Sequence, residues 1–144
     1  MPNLTLSHFC LFVGDQDEAL AFYTEKLGLE KRFDVPVGNM RWLTVGSPDQ
    51  PDLELVLIDA DVRPDIADDV RNLMARGGMN GVIWHSDDCR ADYERLSALG
   101  VEFTGEPEEQ FYGTDVGFRD PFGNMFRLPQ PAENMVRPPS GRRR

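Results

Sequence analysis

The run His8-Phe9-Cys10-Leu11-Phe12-Val13-Gly14-Asp15 has a counterpart in Gly81-Val82-Ile83-Trp84-His85-Ser86-Asp87-Asp88, which begins 73 positions later. Both runs are apolar and end in aspartate. Each is followed by a helical pattern that closes on Leu-Gly, first at Leu27-Gly28 and then at Leu99-Gly100. Self-similarity at a fixed spacing is typical of a repeated structural unit. The sequence therefore predicts two copies of one module.

Each copy has the pattern of a strand, a helix and three further strands. In the first copy we predict strands over 4–13, 29–33, 41–45 and 53–58, and a helix over 16–27 that Asp15 caps and Gly28 ends. In the second copy we predict strands over 82–85, 101–104, 114–119 and 124–128, and a helix over 89–99. The prediction is an α+β fold of two βαβββ modules.

The chain length suits a single domain. We predict this domain over residues 1–129, with module one at 4–59, a linker helix within 60–79, module two at 80–129, and a flexible basic tail over 130–144. Ile66, Val70 and Met74 recur at helical spacing in the linker, which is typical of a helix with one buried face.

Charge and composition exclude several classes of partner. The formal net charge is −10, and the tail carries four arginines against Glu133, so the tail contributes +3 and the rest of the chain −13. An acidic surface repels phosphate backbones, which argues against nucleic acid. No apolar run approaches the roughly 18 residues of a membrane helix. The first residues do not have the pattern of a signal peptide, so we expect no membrane partner and a cytoplasmic location.

Further residues carry a resemblance to a known family. With Phe22-Tyr23 before the first Leu-Gly and Asp120-Pro121-Phe122-Gly123-Asn124 near the end, the chain resembles the vicinal oxygen chelate superfamily, which includes glyoxalases, bleomycin resistance proteins and extradiol dioxygenases. The resemblance covers most of residues 4–129. It implies that the modules form a curved, incomplete eight-stranded barrel-like cavity for a small organic molecule. It also implies a homodimer, and leaves open whether modules pair within or between chains.

In this family each module supplies an early His and a late Glu to a divalent metal. The resemblance places His8 and Glu54 at these positions in the first module, but Gly81 and Arg127 in the second. Glycine offers no ligand, and arginine offers only donors and a permanent positive charge. We therefore expect no cofactor. The alternative is a divalent metal (Fe, Mn, Ni or Zn) held by His8 and Glu54 together with waters and a chelating substrate, or with ligands from another subunit.

His8, Glu54 and Arg127 also allow other interpretations. His8 could be a metal ligand, a general base, a polar contact, or a strand-end histidine bonded to the backbone. Glu54 lies in an apolar run and needs compensation. It could bind metal or act as a base, but we favour an ion pair with Arg127, which the pseudo-symmetry of the family places across the cavity. Arg127 could also bind a carboxylate, phosphate or enolate of a ligand.

Alternation along a strand puts His8, Cys10 and Phe12 on one face and Phe9, Leu11 and Val13 on the other. We expect the first face to line the cavity. The candidate ligand contacts are Arg127 together with Phe12, Trp42, His85, Phe111 and Tyr112. The alternative is that several aromatic residues form the core. Tyr112 follows a loop, 105–110, that could act as a lid, and its hydroxyl could serve as an acid.

The sequence thus predicts a small-molecule-binding protein of the metal-independent or drug-sequestering kind. The alternative is a glyoxalase-like lyase or isomerase, or a ring-cleaving dioxygenase, with His8, Glu54 and Tyr112 as candidate catalytic residues. A protein with only an interaction role is a third option.

Overall fold

The computed structural model describes residues 3–135, apart from the side chain of Asn80. They form two compact units. The first runs to Gly78 and includes Pro121–Asn124; the second comprises Met79–Asp120 and the chain from Met125 onward. Each unit contains one open four-stranded sheet whose strands and helix follow the order βαβββ. The predicted α+β class is confirmed.

The first unit carries the longer strands. Its elements are β1 (His8–Val13), α1 (Gln16–Ala21), β2 (Glu30–Val37), β3 (Met40–Gly46), β4 (Glu54–Asp59), a 3₁₀ turn (Ala60–Val62) and α2 (Ala67–Ala75). The strand order is β1-β4-β3-β2, with β1 and β4 parallel and the other pairs antiparallel. β1 and β2 are therefore the edges of this sheet.

The first helix changes geometry along its length. The Asp15 side chain accepts a hydrogen bond from the Glu18 N–H, so the predicted N-cap is confirmed. Beyond Ala21 the chain continues as a π-helix over Phe22–Lys26, with Leu27 N–H donating to Phe22 O five residues back. The prediction of one regular helix over 16–27 is wrong in this last turn, because sequence periodicity does not distinguish the two helical hydrogen-bond patterns.

The predicted linker helix is present as α2 and belongs to the first unit. Val70 and Met74 are buried, as the spacing predicts, and the helix spans Ala67–Ala75 within the predicted segment 60–79. The segment Pro121–Asn124 joins the same unit, where Asn124 Nδ2 donates to Phe12 O at 2.9 Å.

The second unit has two sheets. Its elements are β5 (Asn80–Ile83), α3 (Cys89–Ala98), β6 (Glu102–Phe103), β7 (Glu108–Gln110), β8 (Gly113–Asp115), β9 (Gly117–Arg119), β10 (Met125–Arg127), β11 (Gln130–Pro131) and a 3₁₀ turn (Glu133–Met135). One sheet has the order β5-β10-β9-β6, and the other β11-β8-β7. The rings of Trp84, Phe118 and Phe126 pack together in the core of this unit.

Three predictions for the second half need correction. The strand predicted over 114–119 is interrupted at Val116, so that β8 and β9 belong to different sheets. The segment predicted as a loop, 105–110, contains β7, which pairs with β8 through a hairpin turned by Phe111 and Tyr112. Gln130, the first residue of the predicted tail, pairs with Thr114. Within the same predicted tail, Pro131 completes β11 and Glu133–Met135 form the 3₁₀ turn, whereas 136–144 lie outside the described residues.

Within residues 3–135, no helix is long and apolar enough to cross a membrane.

Candidate functional site

One face of the first sheet is open and carries half of the predicted site residues, namely His8, Phe12, Trp42 and Glu54. Leu11 and Val13 are buried, whereas Cys10 is exposed and Phe12 is half-buried, so the predicted alternation holds over the second half of β1; in the first half both His8 and Phe9 are exposed. The strand registers extend this open face across the sheet, where its exposed or half-buried members are His8, Cys10, Phe12, Phe33, Val35, Val37, Met40, Trp42, Glu54 and Ile58.

His8 and Glu54 lie side by side on this face. They are register partners on the parallel strands β1 and β4, and His8 Nε2 is 3.8 Å from Glu54 Oε1. The other ring nitrogen of His8 is 2.8 Å from Ser7 Oγ, and the His8 ring lies 5.8 Å from the Trp42 ring. Glu54 Oε1 is buried and has no hydrogen-bond partner among the described residues. This oxygen can therefore accept a hydrogen bond from a ligand.

The position equivalent to His8 in the second unit is part of a backbone bulge. On β10, Met125 pairs with Asn80 and Phe126 with Val82, so Gly81 is skipped in the ladder. Its φ of 134° lies in a region that L side chains rarely adopt. A histidine at this position would strain the backbone, which gives a physical reason for the glycine.

Arg127 belongs to a cluster within the second unit. Its Nη2 and Nε lie 2.7 and 3.1 Å from Asp115 Oδ2, and Tyr112 Oη donates to the same oxygen at 2.6 Å. The Asp115 side chain is 4% exposed, whereas that of Arg127 is 51% exposed. We call Tyr112, Asp115 and Arg127 the arginine cluster.

This cluster gives Arg127 a carboxylate partner within its own unit, which the sequence did not predict, and the ion pair between Glu54 and Arg127 stays a prediction. Arg127 is paired with Asp115, and Glu54 with His8. The reason is the interruption at Val116, which separates β8 from β9 and leaves Asp115 within reach of Arg127 on β10. The repeat could not reveal this, because β8 belongs to a second sheet with no counterpart in the first unit.

The hydrogen bonds in the cluster set its protonation states. Burial raises the pKa of Asp115, but the hydrogen bonds from Arg127 and Tyr112 outweigh burial, so that its pKa lies below the ordinary value. The hydrogen bond to Asp115 raises the pKa of Tyr112. At neutral pH the cluster is therefore a carboxylate, a guanidinium and a neutral phenol whose proton is directed at Asp115.

The remaining predicted residues are more scattered. Phe111 stands at the tip of the β7–β8 hairpin and is 86% exposed, with its ring against that of Tyr112. His85 lies beyond the end of β5, exposed, with Nε2 2.9 Å from Asp87 Oδ1. Sequence reasoning missed Asp115. Its signal was a carboxylate inside a predicted strand, which needs a partner if buried.

The described residues do not make a complete metal site. In residues 3–135, no three His, Cys, Asp or Glu side chains are grouped as metal ligands. His8 and Glu54 supply at most two, and neither Gly81 nor Arg127 can add a third. A surface hollow of about 590 Å³ lies elsewhere, along α2. None of the predicted site residues lines it, and we assign it no role.

Comparison with known proteins agrees with this architecture. Residues 5–128 match the family model of the glyoxalase/bleomycin resistance protein/dioxygenase superfamily. The chain belongs to this superfamily, and the predicted resemblance is confirmed.

Individual relatives share most of their length with this chain. The crystal structure of UcmS2 is 43% identical, with a TM-score of 0.84, over 89% of this chain and 98% of that one. TnmS3, an antibiotic binding protein from Streptomyces sp. CB03234, is 33% identical with a TM-score of 0.75, over 92% and 99%. The uncharacterized protein YurT of Bacillus subtilis is 38% identical over 83% of this chain and 94% of its own.

Proposed function

We propose that this protein binds a small, flat organic molecule and sequesters it without the help of a metal. The observation that carries the proposal is the open face of the first sheet, where Trp42 lies against His8 of the His8–Glu54 pair and Phe12 lies further along β1 on the same face. A ligand that covers this face removes apolar surface from water, at roughly 25 cal/mol per Å². Aromatic rings favour a partner that can stack or meet them edge to face.

The similarity to TnmS3 supports the same class of function, because that relative is described as an antibiotic binding protein. In this proposal Phe12 and Trp42 supply apolar contact, and the buried Glu54 Oε1 accepts a hydrogen bond from the ligand. We further propose His85, Phe111, Tyr112 and Arg127 as ligand contacts of the second unit. A few placed polar groups among apolar ones are typical of small-molecule sites.

The chemistry of the residues supports a metal-independent role. The bulge glycine Gly81 and the guanidinium of Arg127 stand where the family has its second pair of ligands. The alternative function is a divalent-metal lyase, isomerase or dioxygenase in which His8 and Glu54 bind the metal, and the 3.8 Å His8–Glu54 pair is the observation in its favour. Tyr112 suits the role of acid poorly, because its raised pKa and its bond to Asp115 both hold the proton.

Elemental analysis separates these two functions. We expect protein purified without chelator to contain well under one equivalent of Fe, Mn, Ni or Zn. A near-stoichiometric content of any of them, lost together in His8→Ala and Glu54→Ala, would support the enzyme and contradict the metal-independent proposal.

A binding screen with matched variants tests the proposed face. We expect a thermal-shift screen of aromatic antibiotics and small keto acids to yield stabilising compounds among the aromatic ones. Trp42→Ala should weaken the response to such a compound about tenfold or more, because a stacking aromatic ring is lost. Leu73→Ala, which removes another exposed apolar side chain on α2, should leave the response unchanged. Equal responses in both variants would contradict a role for this face.

We also propose that the protein is a homodimer and works in the cytoplasm. β2 is an edge strand with Phe33, Val35 and Val37 exposed on one face, and an edge of this kind favours a partner that covers it.

A further inference from the structure

The arginine cluster leaves one nitrogen of Arg127 available to donate a hydrogen bond to a ligand. Nε and Nη2 both donate to Asp115 Oδ2, whereas Nη1 makes no hydrogen bond within residues 3–135. The Arg127 side chain is half exposed. The guanidinium is a planar, rigid fork, and a fork held at two of its nitrogens presents the third in a fixed direction. Nη1 is thus a preset hydrogen-bond donor.

The charge around this donor selects against anions. Asp115 is ionised and in contact with Arg127, so the pair has no net charge. The whole chain carries a net charge of −10, which repels an approaching anion. The Tyr112 hydroxyl donates its hydrogen bond to Asp115 and adds no second donor. The donor therefore matches a neutral acceptor oxygen better than a carboxylate or phosphate.

A glycine on the neighbouring strand makes room for the donor. Gly117 on β9 is the register partner of Arg127 on β10. A Cβ atom at Gly117 would lie 2.7 Å from Arg127 Nη1 and 2.6 Å from Thr104 Oγ1. Real Cβ atoms are essentially never this close to other heavy atoms, so any side chain there would push the guanidinium aside.

We infer that the arginine cluster is a specificity site for a neutral carbonyl oxygen, such as that of a ketone or amide, with Arg127 Nη1 as donor. Asp115 and Gly117 are positioning residues: Asp115 holds the guanidinium and balances its charge, and Gly117 leaves it space. The inference rests on the proposed binding function, and adds to it which functional group the ligand carries.

Three tricyclic probes of similar shape test this inference by equilibrium dialysis. They are 9-fluorenone, which carries a ketone; fluorene, which has no oxygen; and fluorene-9-carboxylate, which carries a negatively charged carboxylate. We expect fluorenone to bind about tenfold or more tightly than fluorene, because a hydrogen bond from a charged donor is gained. Fluorene-9-carboxylate should bind more weakly than fluorenone.

Variants then assign the preference to the cluster. Arg127→Gln should abolish the preference for fluorenone over fluorene, whereas Arg90→Gln, which changes an exposed arginine on α3, should keep the preference. Gly117→Ala should also reduce the ratio of the two affinities. Its control is Gly105→Ala, which meets open space. Asp115→Asn removes the balancing charge, so fluorene-9-carboxylate should gain affinity relative to fluorenone. Circular dichroism and a thermal melt show whether each variant is folded.

The outcomes separate the two proposals. Equal binding of fluorenone and fluorene by the native protein, or tighter binding of the carboxylate, would overturn the carbonyl site and leave the binding function standing. A ketone preference that survives both Arg127→Gln and Gly117→Ala would also overturn it. If none of the three probes binds, the proposed function fails and this inference fails with it.

Discussion

At the scale of single residues, the feature that most shapes the candidate site is a buried carboxylate. Asp115 is 4% exposed and is held by two hydrogen bonds from Arg127 and one from Tyr112. Burying a charge without partners is unfavourable, and these bonds offset that penalty. The consequence is that the side chain at 127 is oriented before any ligand arrives.

The lowered pKa of Asp115 predicts how stability depends on pH. A carboxyl group whose pKa is lower in the folded than in the unfolded state stabilises the fold above its ordinary pKa of about 4. That contribution is lost as the pH falls through the folded-state pKa. We expect Asp115→Asn to lower the free energy of unfolding by about 1 kcal/mol at pH 7, a modest value because Arg127 is half exposed.

Urea denaturation of the native protein and of Asp115→Asn at pH 7, 5, 4 and 3 checks this. The difference in the free energy of unfolding between the native protein and the variant should be constant from pH 7 to 5 and should shrink at pH 3. A difference that grows on acidification would mean that the sign of the pKa shift is wrong.

At the scale of elements, two irregularities decide where the site residues stand. The bulge at Gly81 removes one residue of β5 from the ladder, and the interruption at Val116 sends β8 into a second sheet. The bulge explains why the position equivalent to His8 in the second unit holds a glycine and not a metal-binding side chain. The interruption brings Asp115 to Arg127. In the first unit, β1 and β4 pair without a break, which leaves His8 opposite Glu54.

The end of the first helix offers a test of backbone strain without steric interference. Gly28 has φ of 80°, and a Cβ built there meets nothing within 4 Å. Gly28→Ala should therefore lower the free energy of unfolding by about 1–2 kcal/mol through backbone strain alone. Gly105→Ala, where the Cβ also meets open space and no positive φ is required, should change it by less than about 0.5 kcal/mol. Urea midpoints compare the two, and equal effects would rule out strain as the cause.

At the scale of the whole molecule, the exposed edge and the acidic charge act in opposite directions. A net charge of −10 keeps copies of the chain apart at long range. The exposed side chains Phe33, Val35 and Val37 on the edge strand β2 favour association once two copies meet. The proposed dimer requires that the apolar contact outweighs the repulsion, which salt reduces.

Light scattering of the eluting protein tests the dimer. We expect a mass of twice the 16.3 kDa of one chain for the native protein. Val35→Asp should lower this mass to that of one chain, because the substitution buries a charge at the proposed interface. The control Val62→Asp changes a side chain of similar exposure in the 3₁₀ turn and should remain a dimer. A native protein that elutes with the mass of a single chain would contradict the proposal.

The sequence by itself determined the family, the two modules and the face of β1 that carries His8, because repeat spacing and strand alternation are local properties that survive folding. It also identified His8, Glu54 and Arg127 as the polar residues to follow. Their partners were decided only by the tertiary structure. Asp115 meets Arg127 because β8 leaves the strand order that the first module follows, and Gly81 is a bulge because two paired strands differ by one residue. Such contacts depend on which strands become neighbours, and a repeat read along the chain carries no information about the point where the second copy departs from the first.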